Sequence, residues 1–304
     1  MKKDGILPLL ALAGALALLL AVPAASPAAK SPPKQLHVSL GDSYATGYQP
    51  TAQGVGRNTR NGFAYQLPGL SRSRGYNFQL VNFGCGGATT TSILQTKGCV
   101  PRARALGGPV YTNKTQTAAA EAFLRANRGK VGLITVSIGG NDVTKCVSEA
   151  DPTTCVADAV KVIKTNVTKL AKRLRAAAGP NVRIVGITYP DVVLGLWTTG
   201  KQSDQDFAKL SLFAFRGLLN PALKDSYTSV RKGSFVDVTD VTGAYTPLEQ
   251  TTTLAPYGTI PVAVAKVCQL TYYCQFRDIH SRTNGYKIIA QLIAKTLPNR
   301  RQSA

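Results

Sequence analysis

Short apolar runs alternate along the chain with longer stretches that have the character of helices. The apolar runs, which we interpret as strands, lie at 36–40, 78–83, 131–138, 182–187 and 234–238. The predicted helices lie at 62–73, 115–127, 154–177, 203–230 and 283–297. Short strands that alternate with helices need crossover connections. The pattern therefore predicts a parallel sheet of about five strands covered by helices on both faces.

Three of the predicted strands end in turns made of small and polar residues. The first runs into Gly41-Asp42-Ser43, the second into the glycine-rich segment 84–87, and the third into Gly-Gly-Asn-Asp at 139–142. In parallel α/β sheets, binding and active sites lie at the carboxyl ends of the strands. If these strands are adjacent, the three turns lie together at one edge of the sheet.

Ser43 is placed where a strand feeds a helix, so it lies at a helix N-terminus. Unpaired backbone N–H groups and the positive end of the helix dipole favour the negative charge that an attacked ester carbonyl develops. Ser43 is therefore a candidate nucleophile. The alternative is that Ser43 or Asp42 only caps the helix.

A serine nucleophile needs a base, and the chain contains two histidines, His37 and His280. His37 precedes Ser43 by six residues on the same strand, which at about 3.3 Å per residue puts it roughly 20 Å away. His280 lies in a loop before the last predicted helix and is free to fold back over the sheet edge. His280 is therefore the candidate base, and an exposed residue beside the helix is the alternative.

An acyl intermediate also needs hydrogen-bond donors for its oxyanion. The backbone N–H groups of Ser43 and Gly87 and the side-chain amide of Asn141 would supply three donors from three strand ends. Taken alone, the glycines at 86–87 could form only a turn, and Asn141 only a helix start. Neither phosphate-binding glycine fingerprint occurs, and the absence of Gly-x-Ser-x-Gly argues against an α/β-hydrolase.

The N-terminus has the order of a secretory signal. Lys2 and Lys3 precede an uncharged apolar run at 6–22 and then a Pro/Ala-rich segment with small residues suited to cleavage. We expect residues 1–28 to be a signal peptide, with an uncleaved membrane anchor as the alternative. The remaining residues, 29–304, suit a single secreted domain.

Six cysteines fit an oxidising compartment. They fall into three locally spaced pairs, so the simplest hypothesis is Cys85–Cys99, Cys146–Cys155 and Cys268–Cys274. Crossed pairing is the first alternative. A zinc site is the second, although no C-x₂-C occurs and only two histidines could supplement the thiols.

The formal charge is +21, from 36 Lys and Arg against 15 Asp and Glu. Such a surface attracts anionic polymers and lipid without specificity. The charges are scattered, apart from a cluster of four at 169–175, and no nucleic-acid motif accompanies them. We expect non-specific adsorption at most, no specific nucleic acid partner, and a monomer.

Taken together, these blocks resemble the SGNH (GDSL-type) hydrolases, in particular the secreted actinobacterial esterases and lipases. The resemblance rests on Gly41-Asp42-Ser43 near the mature N-terminus, Gly87, Gly139-x-Asn141-Asp142 and a late His280, in order over nearly the whole mature chain. It implies a flavodoxin-like three-layer α/β/α sandwich with three local disulfides. It also implies ester hydrolysis without metal or organic cofactor, with Ser43 as nucleophile, His280 as base and Ser43, Gly87 and Asn141 as the oxyanion hole.

The chain departs from this family in its last block, which is usually Asp-x-x-His. Here Arg277 stands three residues before His280, and the acid is displaced to Asp278. Either Asp278 reaches the imidazole from its shifted place, or a backbone carbonyl such as that of Arg277 orients the ring. We predict Asp278 as the third catalytic residue.

The apolar stretch 194–197, Leu-Gly-Leu-Trp, could line an acyl groove or belong to the core. It favours lipid acyl esters as substrates. The alternatives are a carbohydrate O-acetyl esterase and a non-catalytic, basic polymer-binding protein on the same fold.

Overall fold

Five parallel strands form the central sheet: β1 (Lys34–Gly41), β2 (Asn77–Asn82), β3 (Val131–Ser137), β4 (Arg183–Ile187) and β5 (Gly233–Val236). Their spatial order is β2-β1-β3-β4-β5, which is the flavodoxin-like order. The computed structural model describes Met1 and residues 32–51 and 54–300. The predicted signal segment lies outside those residues apart from Met1.

Helices cover both faces of the sheet. The longer ones are α1 (Phe63–Ser71), α2 (Gln116–Ala126), α3 (Pro152–Ala178), α4 (Gln202–Phe213), α5 (Asn220–Thr228), α6 (Val262–Leu270) and α7 (Thr283–Lys295). One face packs against α2, α3 and α5, and the other packs against α1 and α7. The predicted three-layer α/β/α sandwich is confirmed.

Shorter elements connect these layers. Single-turn helices lie at Ser43–Thr46, Ser92–Gln95, Gly140–Thr144, Val238–Val241 and Tyr273–Phe276. The 3₁₀ turns lie at Arg72–Arg74, Pro101–Ala103, Lys145–Ser148 and Val192–Thr199. Two small hairpins pair Tyr48–Gln49 with Arg57–Asn58 and Thr251–Leu254 with Gly258–Pro261. Within residues 32–51 and 54–300, no helix has both the length and the apolar character needed to cross a bilayer.

The predicted helix at 203–230 is present but not uniform. Between α4 and α5 the chain forms a π-helical segment, Ala214–Leu219. Pro221 lies in the first turn of α5 and has no N–H to donate to the preceding turn, and its ring crowds the carbonyl four residues earlier. A wider turn before the proline accommodates both effects, and such turns are frequent at functional sites.

The sheet places the predicted strand ends side by side. Gly41 at the end of β1 pairs with Ser137 at the end of β3, and Ser39 pairs with Asn82 at the end of β2. The turns that follow these three strands therefore lie at one edge, as the sequence predicts. The two faces of the sheet each form an apolar cluster with the helices that cover them. A third apolar cluster, built around Leu194, Ala208 and Val264, lies in the segments that follow β4 and β5.

His37 is fully buried in the middle of β1, where Nε2 is hydrogen-bonded to Thr135 Oγ1 at 2.8 Å. Its Nδ1 has no partner among the described residues. Burial lowers the pKa of His37 to about 3. Its position inside the sheet, bonded to Thr135, agrees with its exclusion as the base.

This histidine should make the fold sensitive to acid. Below pH 6.5 the His37 imidazole binds a proton in the unfolded chain but stays neutral in the folded protein. His37 therefore lowers the free energy of unfolding as pH falls from 6.5 towards 3. Between pH 6.5 and 4 this amounts to about 3 kcal/mol. The measurement is the free energy of unfolding by urea denaturation at pH 6.5 and at pH 4. Between these two pH values, His37→Gln should lose about 3 kcal/mol less of that free energy than the unmodified protein does. An unchanged pH dependence in the variant would contradict this account.

Candidate active site

The turn after β1 presents Ser43 as the first residue of the helix Ser43–Thr46. Asp42 caps this helix, because its Oδ1 accepts a hydrogen bond of 2.9 Å from the backbone N–H of Tyr44. Gly41 has φ +131°, and a Cβ there would lie 1.9 Å from the carbonyl oxygen of Ser137. Only glycine lets β1 approach β3 so closely before the chain turns. The turn thus directs Ser43 to the sheet edge.

His280 lies against Ser43. Its Nε2 is 2.7 Å from Ser43 Oγ, although 237 residues separate the two in sequence. Its Nδ1 is 2.8 Å from Asp278 Oδ1, and that same oxygen accepts a bond of 2.9 Å from the backbone N–H of His280. When Nδ1 donates its proton to Asp278, Nε2 is free to accept the proton of the serine hydroxyl.

Asp278 therefore reaches the ring in spite of its shifted place in the sequence. Arg277 adopts the left-handed conformation, with φ +55°, and its side chain turns away to donate to the Gly195 carbonyl at 3.3 Å. Burial alone would raise the pKa of Asp278, but the hydrogen bonds and charge of His280 outweigh it and hold that pKa below its ordinary value. The carboxylate is thus ionised at neutral pH.

Aromatic residues also hold in place the loop that carries Asp278 and His280, which we call the histidine loop. Tyr44 Oη donates to the Ile279 carbonyl at 2.7 Å. The ring of Tyr48 lies with its centroid 4.4 Å from that of the imidazole. The backbone N–H of Tyr272 donates to the His280 carbonyl at 3.0 Å. These contacts leave His280 buried, with 9% of the residue exposed, and give its ring little freedom to leave Ser43.

Asp42 is a buried acid directly beside Ser43. Its Oδ2 accepts a hydrogen bond of 2.5 Å from Tyr189 Oη. Burial raises the pKa of Asp42 to about 7, although the bonds from Tyr189 and from the Tyr44 N–H act in the opposite direction. The buried carboxyl thus links the turn that carries Ser43 to Tyr189 while it caps the helix.

The predicted oxyanion donors follow three neighbouring strands. Asn141 and Ser43 line the same cavity, and Asn141 Nδ2 donates one of its two protons to the Ala88 carbonyl at 2.9 Å. Gly87, beside Ala88, is exposed, and its φ of +79° suits glycine. The backbone N–H of Cys85 donates to the Gly41 carbonyl at 2.9 Å, which ties the glycine-rich turn to the serine turn.

Two polar residues hold these turns in place: Gln116, which the sequence analysis did not single out, and Asp142 of the 139–142 block. The amide of Gln116, on α2, bonds both the N–H of Gly41, at 2.7 Å, and its carbonyl, at 3.0 Å. Asp142 accepts from the backbone N–H and the hydroxyl of Thr90, which holds the loop after β2 against the loop after β3. Burial raises the pKa of Asp142 while the Thr90 bonds oppose the shift.

An apolar cavity of about 390 Å³ opens beside Ser43. Its apolar lining includes Val143, Val156, Val193, Leu210, Phe215 and Leu218. Leu194 and Trp197, predicted as candidates for an acyl groove, are not in the lining, because Leu194 is fully buried in the third apolar cluster and Trp197 packs against it. The π-helical segment Ala214–Leu219 forms part of the wall instead.

Asp191 holds two residues of the cavity wall in place by hydrogen bonds. It is fully buried, and its carboxylate accepts from Ser211 Oγ at 2.8 Å and from the backbone N–H of Val193 at 3.2 Å. Both Ser211 and Val193 line the cavity. Burial raises the pKa of Asp191 to about 7.

All six cysteines are joined in the locally spaced pairs, Cys85–Cys99, Cys146–Cys155 and Cys268–Cys274. The first joins the glycine-rich turn, through Cys85, to Cys99; the second borders the cavity through Cys146, and the third precedes the loop that carries Asp278 and His280. Because bonded sulfurs are not thiolates, the zinc alternative has no thiol ligands.

A serine hydroxyl bonded to an imidazole that is itself bonded to a carboxylate is the arrangement found in serine hydrolases, and here it lies beside an apolar cavity at the edge of a flavodoxin-like sheet. Residues 39–288 match the model of the GDSL-like lipase/acylhydrolase family. This match spans most of the chain, and the chain belongs to that family. No curated protein matches.

Several solved structures are similar to the chain. An extracellular lipase from Streptomyces rimosus is 16% identical, with 86% of this chain and 98% of that chain covered and a TM-score of 0.48. Est24, a carbohydrate acetylesterase from Sinorhizobium meliloti, is 14% identical, with coverage of 86% and 97% and a TM-score of 0.46. An aryl esterase from M. smegmatis is 13% identical, with coverage of 86% and 97% and a TM-score of 0.43.

Proposed function

We propose that this protein is a secreted esterase that hydrolyses carboxylic esters of lipid acyl chains through an acyl-enzyme on Ser43. The observation that carries the proposal is the 2.7 Å contact between Ser43 Oγ and His280 Nε2 beside the 390 Å³ apolar cavity. Residues 1–28 act as the signal peptide, and residues 29–304 form one monomeric domain. The three disulfides support an oxidising destination.

The reaction proceeds in two half-reactions. Ser43 Oγ attacks the ester carbonyl while His280 Nε2 takes its proton, and the alcohol leaves with that proton. Water then attacks the acyl-serine and gives a proton to His280; the bond from the acyl carbon to Ser43 Oγ breaks, His280 returns that proton to Oγ, and the acid is released. Throughout, Asp278 accepts the proton of Nδ1 in a hydrogen bond and stabilises the imidazolium by its charge.

The oxyanion is stabilised by the backbone N–H groups of Ser43 and Gly87 and by the remaining proton of the Asn141 amide. Since Asn141 is already bonded to the Ala88 carbonyl, its orientation is set before substrate arrives. Donors that need no reorganisation contribute most to such a step.

The cavity favours an acyl chain over an acetyl group. At roughly 30 Å³ for a group of the size of a water molecule, 390 Å³ accommodates on the order of ten methylene groups. Its wall is mostly apolar, whereas a site for a sugar ring would need several convergent polar groups. A carbohydrate O-acetyl esterase is the second candidate, since an acetyl group also fits the space.

A series of p-nitrophenyl esters from acetate to palmitate tests this proposal, with a variant that narrows the cavity. We expect kcat/KM to rise from acetate towards decanoate. Val156→Trp fills the cavity from α3 and should lower the ratio of decanoate to acetate activity about tenfold or more, because each lost methylene contact is worth 1–3 kcal/mol.

Val162→Trp is the matched control. Val162 lies on the same helix but is 48% exposed and outside the cavity lining, so its substitution should leave the ratio unchanged. Activity on acetate alone would favour the O-acetyl esterase, and inactivity on every ester would contradict hydrolysis itself.

A further inference from the structure

A second, larger cavity lies at the opposite edge of the sheet from Ser43. It is a groove of about 940 Å³ bordered by Gln35 in β1, Val131 and Gly132 in β3, and Val182 just before β4. These residues lie at the amino ends of their strands, whereas Ser43 follows a carboxyl end. A strand of eight residues at about 3.3 Å each puts the groove on the order of 20 Å from the catalytic serine.

The charged side chains that line this groove are all cationic. They are Arg128, Arg175, Lys232 and Arg300. We call the cavity that they line the basic groove. They come from four separate segments: the turn after α2, the end of α3, the turn before β5 and the chain after α7. Among the described residues, no Asp or Glu is in the lining.

Backbone carbonyls, rather than carboxylates, hold two of these groups. Arg128 donates to the carbonyls of Ala176 and Ala177 at 3.1 and 3.2 Å, and Arg175 donates to those of Gly179 and Val182. Within the described part of the chain, neither arginine nor Lys232 forms an ion pair. Carbonyls orient a guanidinium without cancelling its charge, so the positive potential remains in the groove.

The contrast with another arginine of α3 shows what a structural cation does in this protein. Arg173 forms a bidentate pair with the Glu121 carboxylate at 2.7 and 2.9 Å. Arg175, two residues further on, has no carboxylate partner among the described residues. Burial lowers the pKa of Arg175, and the charge of Arg231 lowers it further. Like charges are thus crowded at the groove, and an anion would relieve that repulsion.

Capping of α3 is the simplest competing account, because cations at a helix C-terminus are stabilised by its dipole. It explains Arg128 and Arg175, whose partners are the last carbonyls of α3 and the residues just after it. It does not explain Lys232 or Arg300. Arg300 instead bonds Gln35 Oε1 at 2.9 Å and lies 4.1 Å from the ring centroid of Tyr76.

We propose that the basic groove binds a linear polymer with one phosphate per repeat, at a place distinct from the ester site. Guanidinium groups match phosphate oxygens by their planar fork of donors. A volume of 940 Å³ exceeds what a single phosphate fills, and cations from four segments suit successive charges on one chain. The apolar residues Val131 and Val182 are buried, so the groove offers no large exposed apolar side chain to a bilayer.

The test is the affinity of the purified protein for poly(glycerol phosphate) of defined length, measured at several salt concentrations. The double variant Arg128→Gln/Lys232→Gln removes two exposed charges from the groove. We expect its affinity at 0.1 M salt to fall about tenfold or more, and the slope of log K against log salt to fall by about two.

Lys169→Gln/Lys172→Gln is the matched control, since it removes two exposed charges from α3 outside the groove. It should weaken binding about twofold at most, and p-nitrophenyl ester turnover should stay unchanged in both variants. Equal losses in the two variants would mean that net charge binds the polymer and would overturn the proposal.

Three further outcomes would also overturn it. The first is no binding by the unmodified protein at 0.1 M salt. The second is inorganic phosphate competing as well as the polymer at equal phosphate concentration, which would indicate a single-ion site. The third is tighter binding to phosphatidylglycerol vesicles than to the soluble polymer, which would indicate a membrane surface. None of these results depends on whether Ser43 is the nucleophile.

Discussion

Replacing Ser43 with alanine should lower the turnover of p-nitrophenyl esters by about 10⁵-fold or more. Without Oγ, the imidazole of His280 has no hydroxyl to activate and no acyl-enzyme forms. The cavity and the oxyanion donors remain, so some acceleration over water should persist. The same variant should lose all labelling by a fluorophosphonate probe, whereas the unmodified protein should be labelled once, at Ser43.

Ser39→Ala, on the strand β1 that precedes Ser43, provides a matched control. Ser39 is fully buried, and its hydroxyl has no hydrogen-bond partner among the described residues. Removing that hydroxyl should leave both turnover and labelling unchanged. Labelling that persists in Ser43→Ala, or turnover reduced less than about 100-fold, would remove Ser43 as the nucleophile.

Asp278→Asn should lower kcat by about two to four orders of magnitude, with a smaller effect on KM. The carboxylate lies 2.8 Å from Nδ1 of His280 and holds the ring in the tautomer that accepts the serine proton. An amide lacks the charge that stabilises the imidazolium, and it can donate to the ring and so favour the wrong tautomer. Because the pKa of Asp278 lies below its ordinary value, its ionisation should not limit the activity of the unmodified enzyme near neutral pH.

Asp158→Asn removes an exposed carboxylate of α3 and should leave kcat unchanged. A loss below tenfold in Asp278→Asn would instead support a Ser–His dyad, in which a backbone carbonyl orients the ring. Pre-steady-state kinetics would then show whether the substitution slows formation or hydrolysis of the acyl-enzyme.

Much of the active-site constellation could be predicted because the residues that carry it sit at strand ends. An apolar run followed by Gly41-Asp42-Ser43 or by 139–142 defines both the sheet and the edge at which the turns meet. His280 followed by elimination, since His37 lies within β1. Its exact meeting with Ser43, over 237 residues, depends on α7 packing beside α1, which no local pattern specifies.

The supporting contacts could not be predicted for the same reason. The bond from Tyr44 to the Ile279 carbonyl spans 235 residues, and that from Tyr189 to Asp42 spans 147. A tyrosine that supports a catalytic loop and a tyrosine in an ordinary core look alike in sequence. Gln116 lies in the first turn of a helix, where nothing local indicates that its amide fixes the serine turn.

The cavity wall was the least predictable part. The apolar stretch 194–197 was a reasonable candidate, but apolar residues after a strand can face either a substrate or another helix. Here Leu194 packs into the third cluster with α4 and α6, and the chain around the π-helical segment faces the cavity. Composition alone does not distinguish these two surfaces.

The Cys146–Cys155 bond links the short 3₁₀ turn Lys145–Ser148 to the start of α3, and residues from both of these segments line the apolar cavity. Ser43, Asp278 and His280 lie outside the segment that this bond closes. The contact between Ser43 and His280 and the wall of the cavity are thus held by separate parts of the structure. Replacing both Cys146 and Cys155 with serine, with the other two disulfides intact, would be expected to preserve the contact between Ser43 and His280 while loosening the wall of the cavity.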